Sequence, residues 1–292
     1  MSPADKSLDS LRREIDSIDD AMHDLLLRRV EVVGRIRQVK RTSQTPIYGP
    51  GREASIMRRL IGRHSGPLPP AVVVRVWREI ISALSLLQGP LSVAVYSGPS
   101  QTKIREIARD HFGTLTPLHS FAKVGPLMAA VRDGAATLAV LPLGDEAPSE
   151  PWWRHLGETG PQSLQILARL PFLHTAQDAP VVVVGRQPFQ PTGEDRGFLA
   201  IESDREISRA GLRGLAEQAG VGTLAVHGEA QDQVGRGGRR WLYFVETERY
   251  IGSDDIALAE IVARAGAGHI HARTLGGYAI APTLAASAAP RR

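Results

Sequence analysis

The chain has 292 residues and a hydrophobic content of 42%, enough for two modest domains with real cores, and a soluble globular protein is expected. It has no cysteine, which excludes disulfides, thiolate nucleophiles and zinc–sulfur sites and fits a cytoplasmic address. A formal charge of +4 suits a small anionic substrate and is too mild to argue for nucleic acid.

The opening MSPADKSLDS is polar and acidic, unlike a signal peptide, and no apolar run approaches the ~20 residues that span a bilayer, so no membrane partner is expected. From Leu8 to about Arg41 apolar residues recur at three-four spacing: Leu8, Leu11, Ile15, Ile18, Met22, Leu25, Val32, Ile36 and Val39. This predicts one helix, capped by Asp5 or Ser7 and interrupted only by Gly34. At 1.5 Å per residue it would be ~50 Å long, too long for a lone small domain, so its stripe is expected to meet a partner chain. TSQTPIYGPG is a loop, a second helix runs from about Arg52 to Arg63, and HSGPLPP breaks it. A third helix is predicted from Pro70 to Leu87, with Val73, Val76, Trp77, Ile80, Leu84 and Leu87 on one side. Gln88-Gly-Pro ends it and places a boundary near Gly89.

The pattern then changes. Strand LSVAVYSGPS, helix TKIREIARDHFG, extended TLTPLHSF, helix PLMAAVRDG and strand ATLAVLPLG alternate, which argues an α/β unit. SLQILARLPFLH and APVVVVGRQPF add strands, and FQPTGEDRG reads as a linker. From FLAIES to HARTLGGYAI the order is β-α-β-β-α-β.

Arg29 falls in register with the apolar stripe of the first helix, and Lys40, about three turns on, points nearly the same way. A guanidinium on an inward face needs a permanent carboxylate or a bound anion. Two cations on one face with no acid opposite fit a dianion site. A structural pair between Arg29 and an acid such as Glu53, or a Lys40 that snorkels to water, remains open on spacing alone.

The segments LRREIDSIDDAMHDLLLRR, EVVGRIRQVK, PIYGPGREASIMRRL and WREIISALSLLQ resemble the all-helical chorismate mutases, including the mutase part of bifunctional chorismate mutase–prephenate dehydratases. The resemblance implies a three-helix fold in an intertwined homodimer. It also implies residue roles. Arg12 would reach the substrate in the partner's site, and Arg29 would clamp one carboxylate of chorismate. Lys40 would hydrogen-bond the ether oxygen and a carboxylate, and Gln88 would contact the same ether oxygen. Arg52 and Glu53 stand where the second-loop arginine and the hydroxyl-binding glutamate stand. Two positions depart: the family's loop aspartate is Gly49, and its third-helix serine is Leu84, with Ser85 adjacent. Both are secondary contacts, so substrate affinity is expected to change more than the chemistry.

That chemistry suits these residue types. A unimolecular pericyclic rearrangement needs no nucleophile, base, metal or cofactor. It needs a flexible dianion held compactly and donors where charge grows on the breaking C–O bond.

Further along, VAVYSGPSQTKIREIARDHFG and SFAKVGPLMAAVRDGAATLAVLPLGDE resemble the first lobe of prephenate dehydratases. That family's Pro-Ile-Glu-Asn-like end is here Pro142-Leu143-Gly144-Asp145, and the resemblance implies that its second lobe is deleted. The positions matching its catalytic Thr-Arg-Phe are Ala179, Pro180 and Val181, none of which supplies a hydroxyl, so no dehydratase activity is expected. WLYFVETERYIGSDDIALAEI and ARTLGGYAIAP resemble an ACT domain, an amino-acid-sensing module, which makes an aromatic amino acid a candidate effector. Its ligand signatures are replaced by Glu206-Ile207-Ser208 and His227-Gly228-Glu229-Ala230, so a structural or dimerising role competes with sensing. The expected domains are therefore 1–89 (helical), 90–190 (single-lobe dehydratase-like) and 191–292 (ACT-like).

Other signals carry less. Gly235–Arg240 (GRGGRR) reads as a solvated hairpin turn before a phosphate or RNA site. His269 and His271 read as flanking a strand, and Trp152-Trp153 as packing under a loop. YSGPSQTK lacks the lysine-serine ending of a phosphate loop. The rival readings are a bifunctional mutase–dehydratase and a non-catalytic regulatory or scaffold protein dimerised by its first helix. A simple coiled coil has no need of Arg29 in its seam.

Overall fold

A computed structural model of the chain describes residues 8–43, 45–98, 101–144, 151–157, 163–173, 180–232, 239–266 and 270–282. Asp5, Ser7, Asp145, Ala179 and His269 lie outside them, as do residues 235–238 of the basic turn.

The first helix, α1 (Leu8–Ser43), is continuous over 36 residues, about 54 Å by its rise. Only Val33 on it is buried, and the apolar row that formed it is open: Ile15, Ile18, Met22 and Leu25 are all more than half exposed. Proline opens both following helices, at a position where its missing N–H costs nothing: α2 (Pro50–Arg63) and α3 (Pro70–Leu86).

The side of α3 that faces inward differs from the expected one. Val76 and Leu87 are 44% and 49% exposed, while Val73, Val74, Arg78, Ile81, Ser82, Leu84 and Ser85 are buried. The cause is a second neighbour. Besides α2, α3 packs on α4 (Gln101–Phe112), the first helix after the strands begin. Ser82 donates to the His111 carbonyl at 3.2 Å, Arg75 meets Asp110 at 3.0 Å, and Thr114 donates its hydroxyl to Glu79 at 2.6 Å.

The remainder is one nine-stranded sheet. Its strands are β1 (Val93–Tyr96), β2 (Leu118–Phe121), β3 (Leu138–Pro142), β4 (Gln165–Leu170), β5 (Val181–Gly185), β6 (Asp195–Ser203), β7 (Thr223–Asp232), β8 (Arg239–Thr247) and β9 (Ile270–Ala279). They lie in the order β2-β1-β3-β5-β4-β9-β6-β8-β7. β1 is parallel to β2 and β3, with α4 and α5 (Val124–Arg132) as crossovers, and β4 and β5 close that half antiparallel. In the other half, β6-α6-β7-β8-α7-β9 forms the antiparallel 9-6-8-7 arrangement of a ferredoxin-like unit. Its helices, α6 (Arg209–Gln218) and α7 (Ile256–Arg264), bury Leu212, Ala216, Ala257 and Ile261 against the sheet. The main core lies around β1, β3, β4 and β5 and continues into Phe198, Phe244 and Leu275 of the second half. Trp152 and Trp153 are buried there, with ring centroids 5.7 and 5.8 Å from Phe244, so they are packing residues.

The two halves join where β4 meets β9 at Ile166 and Gly276. Gly276 has φ +103°, and a Cβ there would sit 2.2 Å from the Ile166 carbonyl oxygen. Arg169 on β4 secures the join, donating to Glu246 of β8 and to the Tyr278 hydroxyl of β9, both at 3.0 Å. Gly276→Ala combines left-handed strain with a backbone collision, so a loss of about 3 kcal/mol is expected. Calorimetry should then show Tm lower by roughly 6–12 °C. Gly214→Ala, in α6 with open space around it, should leave Tm unchanged or raise it.

Candidate active site

α1 presents three of the sequence-assigned cations in a row. Arg12 is exposed and touches Asp9 at 3.4 Å. Arg29 is half-buried, its Nη1 is fully enclosed with no hydrogen-bond partner, and desolvation pulls its pKa down. Lys40 donates to the Pro46 and Ile47 carbonyls at 2.8 and 3.1 Å, which pins the α1–α2 loop to the helix end. Burial lowers the Lys40 pKa, and the nearby Glu53 carboxylate opposes that shift.

α2 supplies Arg52, exposed, and Glu53, buried. Glu53 follows one turn after Gly49, whose carbonyl accepts the Glu53 amide at 2.9 Å. Gly49 begins α2 without a side-chain cap. Glu53 pairs with Arg78 of α3 at 2.5 Å, so it is not the partner of Arg29. At the end of α3, Gln88 reaches its own helix at the Leu84 carbonyl, 3.5 Å away, and leaves its Oε1 buried without a partner. Leu84 and Ser85, at the departing position, are both buried. The chain thus brings Lys40 and Glu53 within electrostatic reach of each other. Arg29 and Arg12 lie farther along α1, about 17 and 42 Å from Lys40 by helical rise.

A buried cluster behind this site was not read from the sequence. Tyr48, from the α1–α2 loop, is 3% exposed, and its hydroxyl lies 3.1 Å from Nε2 of the buried His111 on α4. The Tyr48 carbonyl accepts the Gln187 amide at 2.9 Å. Arg78 lies over the Phe172 ring, 5.3 Å from its centroid, and its Nε has no partner. The logic applied to Arg29 would have found Arg78, a guanidinium in register between Val74 and Ile81. Burial raises the pKa of Glu53, while the charge and hydrogen bond of Arg78 and the charge of Lys40 pull it back. Burial and Glu53 also hold the Tyr48 hydroxyl far above its ordinary value, against the charge of Arg78. Burial and Arg78 hold His111 well below its own.

Among the described residues, no group of three or more His, Cys, Asp or Glu could hold a metal ion. No helix among them is long and apolar enough to cross a membrane.

His111 sets an expected pH response. Its imidazole stays neutral in the fold, whereas the unfolded chain takes up a proton near pH 6.5. Acid therefore favours the unfolded state: the His111 contribution is full above about pH 6.5 and is lost as pH falls through the lower folded value. Glu53 acts in the opposite sense, its contribution being present below the ordinary glutamate value and lost as pH rises through the raised folded one. Melting curves from pH 8 down to about pH 5 should show Tm falling in the wild type and falling less in His111→Gln. Equal slopes in both proteins would show that His111 does not carry the effect.

The family Chorismate mutase type II matches residues 11–89, which include every mutase position named above. The chain is 33% identical over 148 residues to a bifunctional chorismate mutase/prephenate dehydratase of Stutzerimonas stutzeri, covering 49% of this chain and 40% of that protein. It is 32% identical over 141 residues to the Pseudomonas aeruginosa protein of the same description, covering 47% and 38%. These matches thus span less than half the length of those relatives. Among solved structures, the prephenate dehydratase of Streptococcus mutans is similar with a TM-score of 0.43 at 16% identity, covering 65% of this chain and 98% of that one. The helical region is therefore a chorismate mutase type II domain at the head of an α/β sheet, in a chain homologous to bifunctional chorismate mutase/prephenate dehydratases.

Proposed function

We propose that the protein is a chorismate mutase, converting chorismate to prephenate by electrostatic clamping and preorganisation. The observation that carries this reading is the match over 11–89, together with the enclosed, unpartnered Nη1 of Arg29, a donor placed where the resemblance puts a substrate carboxylate. A buried polar donor without a partner costs about 1–3 kcal/mol, a cost that a bound anion would remove.

In this reading Arg29 holds one carboxylate of the dianion, and Arg52, exposed at the head of α2, reaches it from the loop side. Lys40 and the Gln88 amide donate to the ether oxygen as charge develops there. Glu53 accepts the substrate hydroxyl. Bound as a dianion between arginines, the substrate is held in the compact geometry the rearrangement requires.

The site is proposed to be completed by a second copy. Arg12 lies about 42 Å from Lys40 along a straight helix, so the two cannot meet around one substrate within a protomer. The apolar row on α1 is open for most of its length, and each Leu or Ile covered there contributes about 1.5–3 kcal/mol. An antiparallel pairing of two such helices would cover that row and carry Arg12 toward the partner's Lys40.

The domains are proposed as 1–89, 90–190 and 191–292, with the last as an ACT-like module. The Ile207 amide at the head of the module's first helix is already taken by the Tyr243 hydroxyl at 2.7 Å, which favours a structural role. A cytoplasmic location is proposed on the same biosynthetic reading.

Each factor of ten in rate is ~1.4 kcal/mol of barrier, and removal of a buried charged donor costs several times that. Lys40→Ala and Arg29→Ala should each slow the loss of chorismate absorbance by at least about a hundredfold, with Arg12→Ala close behind. Near-normal turnover in either of the first two would sink the assignment. Prephenate incubated with the purified protein should yield no phenylpyruvate, since Pro180 and Val181 supply no acid at the dehydratase position. Enzymatic phenylpyruvate formation would instead favour the bifunctional reading.

A further inference from the structure

Glu53 is the most constrained of the assigned residues. It is 9% exposed, and the arginine that pairs with it is 5% exposed. The charged and titratable groups around it come from every element packed nearby. Lys40 comes from α1, Tyr48 from the α1–α2 loop, and Arg78 from α3. His111 of α4 and Arg169 of β4 line the same small cavity as Glu53, Tyr48 and Arg78, and Phe172 closes it. Arg52, on the same helix as Glu53, is exposed.

We propose that Arg78 is a positioning residue of the mutase site, holding the Glu53 carboxylate ionised and in place, and that the α/β sheet region takes part by walling in Arg78 with Phe172 and His111. This rests on the mutase reading above.

The physical case begins with the cost of a buried carboxylate. Without a cation it takes up a proton. Two cations stand near Glu53, but the Lys40 ammonium is already committed to two carbonyls, and only Arg78 makes a direct bond, at 2.5 Å. A protonated Glu53 would offer the substrate hydroxyl a weaker acceptor and would be free to turn. Arg78 in turn is poorly tethered for a buried guanidinium. Its Nε has no partner, so Glu53 on one side and the face of Phe172 on the other fix its plane. Phe172 follows β4 and His111 ends α4, so both belong to the sheet region. That region thereby supplies the back wall of a site whose substrate-contacting residues all lie in the first 88 positions. It is a role that requires no dehydratase chemistry.

The test uses the full-length protein, with chorismate consumption followed between pH 5 and pH 9. Arg78→Met should lower kcat/KM at neutral pH by at least tenfold, mostly through KM, and move its acid limb up by a pH unit or more. Arg78→Lys should restore most of the activity and the wild-type limb. Phe172→Leu, which keeps the apolar volume but removes the ring, should move the limb the same way by a smaller amount. Glu53→Gln added to Arg78→Met should abolish the moved limb, which assigns it to Glu53 and not to His111. If Arg78→Met does not fold, Phe172→Leu carries the decision. Activity that falls with an unmoved acid limb, in Phe172→Leu and in any folded Arg78→Met, would overturn the proposal and leave Arg78 a structural residue. Wild-type protein that does not consume chorismate would overturn the mutase reading, and this proposal with it.

Discussion

A carboxylate buried between helices and sheet has to be paired, and much of the helical region is arranged around that requirement. Bringing Glu53 inside costs several kcal/mol unless a cation comes with it. Arg78 meets that demand from the neighbouring helix, and doing so fixes how α3 is rolled about its axis. The row Val74, Arg78, Ile81 and Ser85 turns inward, and Val76 and Leu87 turn out. The same roll brings Ser82 to the His111 carbonyl and places His111 near the positive charge of Arg78, which helps keep the imidazole neutral. The orientation of the third helix, part of the downward pKa shift of a histidine on the fourth and the pairing of Glu53 on the second thus meet in one ion pair.

The sequence made the secondary structure easy to read and the packing hard. The three-four row from Leu8 to Val39, the loop TSQTPIYGPG and the break HSGPLPP mark the three helices, and the alternation after Leu91 marks the strands and their crossovers. These are local signals. The inward face of α3 is not local. Val73, Val76 and Ile80 form a good apolar stripe by themselves, but α3 has two neighbours, and α4 claims a different face. The join between β4 and β9 was likewise invisible, because it rests on one register pair between strands about a hundred residues apart. The roles proposed for Arg29, Lys40, Glu53 and Gln88 come from family resemblance. Arg78 and Tyr48 are not among the positions that resemblance assigns, although the register of Arg78 between Val74 and Ile81 marks it as inward-facing.

The join between the halves of the sheet matters for the helices as well. Arg58 on α2 donates to the Thr192 hydroxyl at 2.9 Å and to the Glu194 and Ile280 carbonyls, each at 2.7 Å. Thr192 and Glu194 lead into β6, and Ile280 follows β9, so Arg58 reaches the two strands of the ferredoxin-like half nearest the seam. Five residues earlier on α2, Glu53 is tied through Arg78 to Phe172, in the other half. One short helix is therefore bonded to both sides of the β4–β9 seam. A shift of one half of the sheet against the other would tilt α2, and with it Arg52 and Glu53.

That geometry supplies a physical route by which a ligand on the sheet could change a reaction on the helices. A route is not yet a coupling, because coupling needs a ligand that favours one arrangement of the seam over another. Two features make the present arrangement hard to displace. Gly276 admits the Ile166 backbone so closely that no other residue fits, and Arg169 binds Glu246 and Tyr278 together across the seam. A seam this constrained transmits motion as a rigid lever instead of absorbing it, since close-packed interiors deform little. In the proposed reading the sheet acts on the mutase site without moving at all, by holding α2 in register and keeping Arg78 against Glu53. These contacts fit a supporting role for the sheet, and α2, α3 and the loop that carries Tyr48 are the elements through which a regulatory motion would reach the helices.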